Sequence, residues 1–388
     1  MFDDSLLDDP AALQRADRRR ELLALAGAGA RIRIALRRAD AAGVNALAPD
    51  GRPRAVLVAG HGGALTAAAV LAALALPSTQ VWPLPPVDAR PGGFAFTDGE
   101  TWQLPGWANP LDLVVLASEN GREGGLISLA EQAYTRGCAI AVIAPEDSEL
   151  FEAALQVRAL PLPFEPCAVE PEGSDAEPDL PAEDPAALWA FLAPLLTLAD
   201  RVGAAQLAPG ALESVADRLD EVAVRCRPDA QAYDNPAKTL AARLAETVPL
   251  IWAEGAPAAA AGERFAAALA DRAGLPALAA RLPQALTAHR GMFTGRLGAG
   301  TDPDDFFRDR VEEPVPLQLQ VLLLRHTPGV AELEAAAWPV ARARRLAAAH
   351  EVRVTEHASS LEDPLQALAE LIGPTDFAAV YLGLATRG

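Results

Sequence analysis

Cysteine is nearly missing from this 388-residue sequence, and the three present, Cys138, Cys167 and Cys226, show no CxxC spacing. That excludes a disulfide framework and a cysteine-based metal or redox pair, and a chain of this length can bury its cores without such staples. Lysine is scarcer still: thirty-two of the 33 basic residues are arginine, leaving Lys238 as the one lysine. There are five histidines. His326, His350 and His357 have no HxH or HxxxH spacing, so no metal site is expected. No serine stands in a nucleophile elbow and there is no P-loop. Positive charge is also in deficit, with 33 basic against 52 acidic residues and a formal charge of −19. Such a balance opposes broad contact with nucleic acid or an anionic membrane surface, and any anionic ligand must find a locally positive site.

What is present is an ordinary globular composition, 51% hydrophobic and 22% charged, at a length that suggests two domains. The opening Met1-Phe2-Asp3-Asp4 puts acid where a secretory leader needs base, so a cytoplasmic protein is expected. One uncharged run, residues 55–76, is long enough to span a membrane on count. Its Gly60-His61-Gly62-Gly63 turn instead divides it into a strand and an alanine-rich helix.

Residues 10–42 carry apolar positions at helical spacing and predict a leading helix or pair. Short apolar runs follow at 54–59, 113–117 and 139–144, each leading through a turn into a helix-like segment. Strands of this kind, without polar alternation, belong to a parallel sheet covered on both faces. Residues 1–49 thus read as an N-terminal helical arm and 50–164 as a first α/β domain. Residues 165–185 form an acidic, proline-rich linker or insertion. Residues 186–388 hold connecting helices and a second α/β domain, with strands at 248–252, 317–324 and 351–354 and a packed terminal helix over 376–386.

Two loops could carry chemistry. Gly60-His61-Gly62-Gly63-Ala64 leaves a strand and opens a helix, so free backbone N–H groups meet the carboxyl end of a parallel strand. A tight strand-to-helix turn uses glycine for steric reasons as well. The second loop, Ser118-Glu119-Asn120-Gly121-Arg122-Glu123, concentrates polar side chains in the same kind of turn, and two such loops on one sheet converge on one crevice. The acids of Thr301-Asp302-Pro303-Asp304-Asp305 lack the pattern of a calcium loop and read as a helix cap.

These motifs resemble the SIS (sugar isomerase) family, in particular its two-domain phosphoglucose/phosphomannose isomerases. Gly60-His61-Gly62-Gly63-Ala64 is similar to the family's GxGGS turn, and Ser118 to Glu123 fall where SYSGNT is expected. Asn235-Pro236-Ala237-Lys238, followed by Val248-Pro249-Leu250-Ile251-Trp252, resembles the NPAK helix and IPVIYG strand of the second domain. The resemblance implies two flavodoxin-like SIS domains with parallel sheets flanked by helices, a homodimer, a sugar phosphate or related small molecule as ligand, and no cofactor or metal. It implies substrate-binding positions at Gly62, Gly63, Ser118, Asn120, Gly121 and Arg122.

The family reaction moves a proton through an enediol with a glutamate base. Here the stretch expected to hold that base reads Pro283-Gln284-Ala285-Leu286-Thr287-Ala288-His289-Arg290. Pro185 falls at the family's arginine, Ala64 and Glu123 replace cradle hydroxyls, and the sequence stops before its terminal lysine. The expectation is therefore a carbohydrate-derivative binding protein with degenerate catalytic positions, a sensor or partner subunit. The alternative is an active aldose–ketose isomerase in which His289 or Glu123 transfers the proton, with Arg122 or Arg290 at the enediolate.

Overall fold

A strand that is apolar along most of its length needs cover on both faces, and the central strands of both sheets are of this kind. The computed structural model describes residues 2–49, 51–90, 96–167, 183–295, 318–328 and 330–386. The chain divides into two units, Arg18–Asp220 and Met1–Asp17 with Glu221–Gly388. Helix α1 (Pro10–Ala16) belongs to the second of these.

The unit Arg18–Asp220 begins with α2 (Glu21–Ala26) and α3 (Ala28–Ala41), then β1 (Ala55–Ala59), α4 (Gly62–Leu74) and β2 (Gln80–Leu84). A small antiparallel pair, β3 (Asp88–Ala89) and β4 (Glu100–Thr101), precedes β5 (Asp112–Ala117), α5 (Gly124–Thr135), β6 (Ala139–Ala144), α6 (Glu149–Gln156) and β7 (Leu160–Pro163). Helices α7 (Ala187–Arg201) and α8 (Ala211–Arg225) follow. The main sheet is parallel throughout, in the order β2-β1-β5-β6-β7. Every residue of β1 and β5 is buried. One face, with Leu57, Val114, Leu116 and Val142, packs against Leu126, Leu129 and Leu150 of α5 and α6. Helix α4 lies against β1 and α7 against α4. Winding proceeds from β1 outward to β2 and then resumes at β5 on the other side of β1. The loops leaving β1 and β5 therefore flank the switch point, where open α/β sheets bind their ligands.

The other unit continues with α9 (Pro236–Leu244), β8 (Thr247–Glu254), α10 (Ala256–Ala273), β9 (Leu278–Arg281), α11 (Ala285–Ala288), β10 (Gln318–His326), α12 (Val330–Ala349), β11 (Arg353–Ser359) and α13 (Pro364–Thr386). Its sheet, β11-β10-β8-β9, is also parallel. Leu250, Trp252, Val321 and Leu323 pack on Phe293, Val340, Ala343 and Ala347, while α10 and α13 pack together and touch β10. Helix α13 is the one described helix long and apolar enough to cross a membrane, and 89% of its apolar window is buried inside the protein. It is a core helix.

The leading helical segment comprises three helices rather than one or two, and α13 starts earlier than the expected 376. Strands β2, β7 and β9, which the sequence does not disclose, all lie at sheet edges. Edge strands tolerate proline because one row of their N–H groups has no partner. Pro83 in β2 and Pro161 and Pro163 in β7 use that freedom and mask the strand pattern. The acidic run at 301–305 and most of the 165–185 segment lie outside the described residues.

The NPAK motif has a structural role. Asn235 caps α9, its Oδ1 accepting from Ala237 N (3.0 Å) and Lys238 N (3.1 Å). The Lys238 side chain is fully buried, and its Nζ donates to the carbonyls of Leu7 (2.5 Å), Pro228 (2.6 Å) and Ala230 (2.7 Å). An ammonium has three donors, and all three are used. They fasten the N-terminal segment to its unit, as does Asp3 N donating to Ala385 O at 2.9 Å. Lys238→Met keeps the stem but strands three carbonyls. It should lower unfolding stability in urea by about 3 kcal/mol, and an unchanged midpoint would contradict this anchoring role.

Candidate functional site

The turn after β1 must come close to β5. A Cβ at Gly60 would sit 2.6 Å from the Ala117 carbonyl, so only bare backbone fits there. Gly62 takes φ +49°, a left-handed conformation that glycine adopts without strain, and Gly63 lets α4 approach the start of α7. His61 stands between them as the N-cap residue of α4, its side chain making no cap hydrogen bond.

After β5, the Ser118 hydroxyl organises the second loop. It accepts from Gly121 N (2.7 Å) and Asn120 N (3.2 Å) and donates to Glu123 Oε2 at 2.6 Å. Asn120 Oδ1 accepts from Arg122 N at 2.8 Å, and Gly121, at φ +67°, leaves room for Ser148. A hydroxyl has one proton and two lone pairs, so that of Ser118 is fully engaged within the protein. Glu123 is completely buried, and its Oε1 faces His61 Nε2 at 3.2 Å. Arg122, expected at an enediolate, is exposed. His61 supplies the positive partner of Glu123 instead.

Three more carboxylates surround this pair. Glu183 Oε1 lies 3.9 Å from His61 Nδ1. Glu119 Oε2 accepts from Asp184 N at 3.3 Å. Glu100, on β4, has its Oε2 buried without a hydrogen-bond partner among the described residues, and burial raises its pKa. Burial also works against the charged form of His61, but the hydrogen bonds and charges of Glu123 and Glu183 outweigh it and push the imidazole up to about 10. For Glu119, burial and the charge of Glu183 raise the carboxyl to about 7 against the pull of His61 and Arg31.

The structure thus brings Ser118, Asn120, Gly121 and Glu123 together with the Gly62-Gly63 turn. It places His289 in the other unit, largely buried after α11, where Nδ1 accepts from Trp252 Nε1 at 3.0 Å and burial lowers its pKa. There the switch point lies between β8 and β10. It too is spanned by charges, with Arg325 donating to Glu254 (2.6 Å) and Glu356 (2.8 Å). Among the described residues, no group of three His, Cys, Asp or Glu side chains could hold a metal. Sequence reasoning overlooked His61, Glu119 and Glu183. The available signal was a titratable residue inside the glycine turn, facing an acidic residue where the second loop turns into its helix.

Residues 233–387 match the bacterial phospho-glucose isomerase C-terminal SIS domain. The match covers less than half of the chain and shows similarity to an SIS domain in this region. No curated protein matches it in sequence. Among solved structures it is similar to a hypothetical protein from Thermus thermophilus, at 14% identity over 98% of this chain and 89% of that one, with a TM-score of 0.61. A proposed phosphosugar isomerase from Clostridium difficile is 12% identical over 94% and 91%, TM-score 0.56. Another from Salmonella typhimurium is 16% identical over 92% and 93%, TM-score 0.54. At these identities the likeness is one of fold. The SIS match covers the NPAK helix, so the motif most diagnostic in the sequence is the one that anchors the N-terminal segment.

Two titrations follow from this site. His61 has a folded-state pKa above its ordinary value, so its charge contributes stability fully below about 6.5 that is lost as pH rises through about 10. Its labelled imidazole should remain doubly protonated in NMR spectra at about pH 8, and half-titration near 6.5 would contradict the arrangement. Glu119 is raised as well, which for a carboxyl favours the neutral form and costs stability as pH rises from about 4.5 through 7. Glu119→Gln should therefore stabilise the protein by about 1–3 kcal/mol at about pH 8 and leave it unchanged near pH 4.

Proposed function

We propose that this protein binds a carbohydrate derivative in the first SIS crevice without isomerising it, and acts as a sensor or partner subunit. The observation that carries this reading is the Glu123 carboxylate, which takes the Ser118 hydroxyl and the His61 Nε2 at the turn where the family resemblance expects a hydroxyl-lined phosphate cradle. A phosphate dianion there would have to displace Glu123 from both partners and then bear its repulsion. An uncharged hydroxyl-bearing ligand faces no such competition, and carboxylates accept its hydrogen bonds.

The catalytic positions support the same reading. Proton abstraction from carbon needs an unencumbered base next to the substrate. His61 is held protonated, Glu123 is buried and doubly hydrogen-bonded, and His289 is engaged with Trp252. A second reading, an active isomerase, is favoured by one observation: Glu119 sits at about 7, suited to proton exchange near neutral pH. Homodimer formation, expected from the resemblance, remains part of the proposal.

The test is a thermal-shift titration with glucose, mannose, fructose and their 6-phosphates, with product formation followed on the same samples. Binding to the native state must raise Tm with ligand concentration. The expected outcome is stabilisation by an uncharged sugar, no greater stabilisation by its 6-phosphate, and no interconversion. Turnover abolished by Glu119→Gln would establish the second reading instead.

A further inference from the structure

The residues leading into α7 do more than connect it. Asp184 is pinned at three points: its carboxylate pairs with Arg31, its Oδ1 accepts from Ala186 N (2.9 Å), and its N–H donates to Glu119 Oε2 (3.3 Å). The Arg31 and Asp184 side chains are 11% and 9% exposed. Arg31 Nη2 also donates to Glu165 O at 2.7 Å, so one guanidinium holds backbone or side chain from both Glu165 and Asp184. This firm support fixes the position of the preceding residue, Glu183.

Glu183 lies over the glycine turn. A Cβ at Gly62 would collide with both of its carboxylate oxygens, and its Oε1 is 3.9 Å from His61 Nδ1. Yet the Glu183 side chain remains 43% exposed, unlike the fully buried Glu123 on the other side of the same imidazole. One carboxylate is part of the core; the other lies at the surface.

We propose that Glu183, held in place by the Asp184–Arg31 pair, is an autoinhibitory strap that occupies the outer side of the His61 imidazole and the Gly62 turn until an acidic group displaces it. The inference rests on the reading that the first crevice binds a ligand, and it adds a subsite for an acidic group at His61 Nδ1, on the side of the ring away from the Glu123 turn that disfavours phosphate. With His61 Nε2 committed to Glu123, Nδ1 is the ring nitrogen that an incoming anion can engage, and Glu183 is its present partner. Half-exposed ion pairs are weak, so the strap tunes affinity rather than abolishing it.

The test uses intact protein and inorganic phosphate as probe, with calorimetry and the His61 imidazole shifts read together. Glu183→Gln should bind phosphate about three- to tenfold more tightly than the wild type. Asp184→Asn, which loosens the support without touching the ion, should shift affinity in the same direction. Glu131→Gln removes an exposed carboxylate on α5 and should leave affinity unchanged, which separates the strap from an effect of net charge. If Asp184→Asn fails to fold, Glu183→Gln, at an exposed position, still decides. Equal affinity of Glu183→Gln and wild type, an equal gain in Glu131→Gln, or no phosphate binding by any of them would overturn the strap. Tighter phosphate in Glu183→Gln together with no response to any sugar would sustain the strap and end the carbohydrate reading; the reverse pattern would do the opposite.

Discussion

The hydrogen bond from Ser118 Oγ to Glu123 Oε2, 2.6 Å long and fully buried, is the contact on which the first crevice depends. It consumes the only proton of the loop's hydroxyl and fixes a negative charge at the head of α5. That buried charge requires a cation, since an unpaired carboxylate in such a position is costly. His61 is the cation, and its presence inside a glycine turn, the elevation of its pKa to about 10 and the approach of Glu183 all follow from the need. Ser118, Glu123 and His61 thus satisfy one another within the site.

The fold supplies the loops, and the side chains of this chain decide what they do. The switch point of each parallel sheet puts two loops side by side, which is a property of topology. In the first unit those loops carry Glu123 against His61, and in the second Arg325 joins Glu254 and Glu356. Fold alone confers no activity, and the side chains at these positions decide what can bind.

Much of the architecture is legible in the sequence because buried parallel strands write themselves as unbroken apolar runs. The runs at 54–59, 113–117 and 139–144 are of this kind, and each became a strand to within a residue. Edges are harder, since Gln80-Val81-Trp82-Pro83-Leu84 mixes polar, aromatic and proline residues that only a one-sided neighbour permits. The loops of the site were also legible, because glycine at a strand-to-helix turn has a steric cause. Their pairing was not. That His61 rather than Arg122 meets Glu123 depends on which side chains two non-adjacent turns bring within 3.2 Å, and no local pattern encodes it. Glu183 and Asp184 return to the same loops from far along the chain, which composition reads only as an acidic linker.

Glu123 stands in the turn where the family resemblance expects a phosphate-binding hydroxyl. The most direct measurement is calorimetric titration of glucose and glucose 6-phosphate into the wild type and Glu123→Thr, which restores a hydroxyl at that position. The wild type should show no preference for the phosphorylated sugar, and Glu123→Thr should prefer it by about tenfold or more. A wild-type protein that binds glucose 6-phosphate more tightly than glucose, with the preference unchanged or lost in Glu123→Thr, would contradict this.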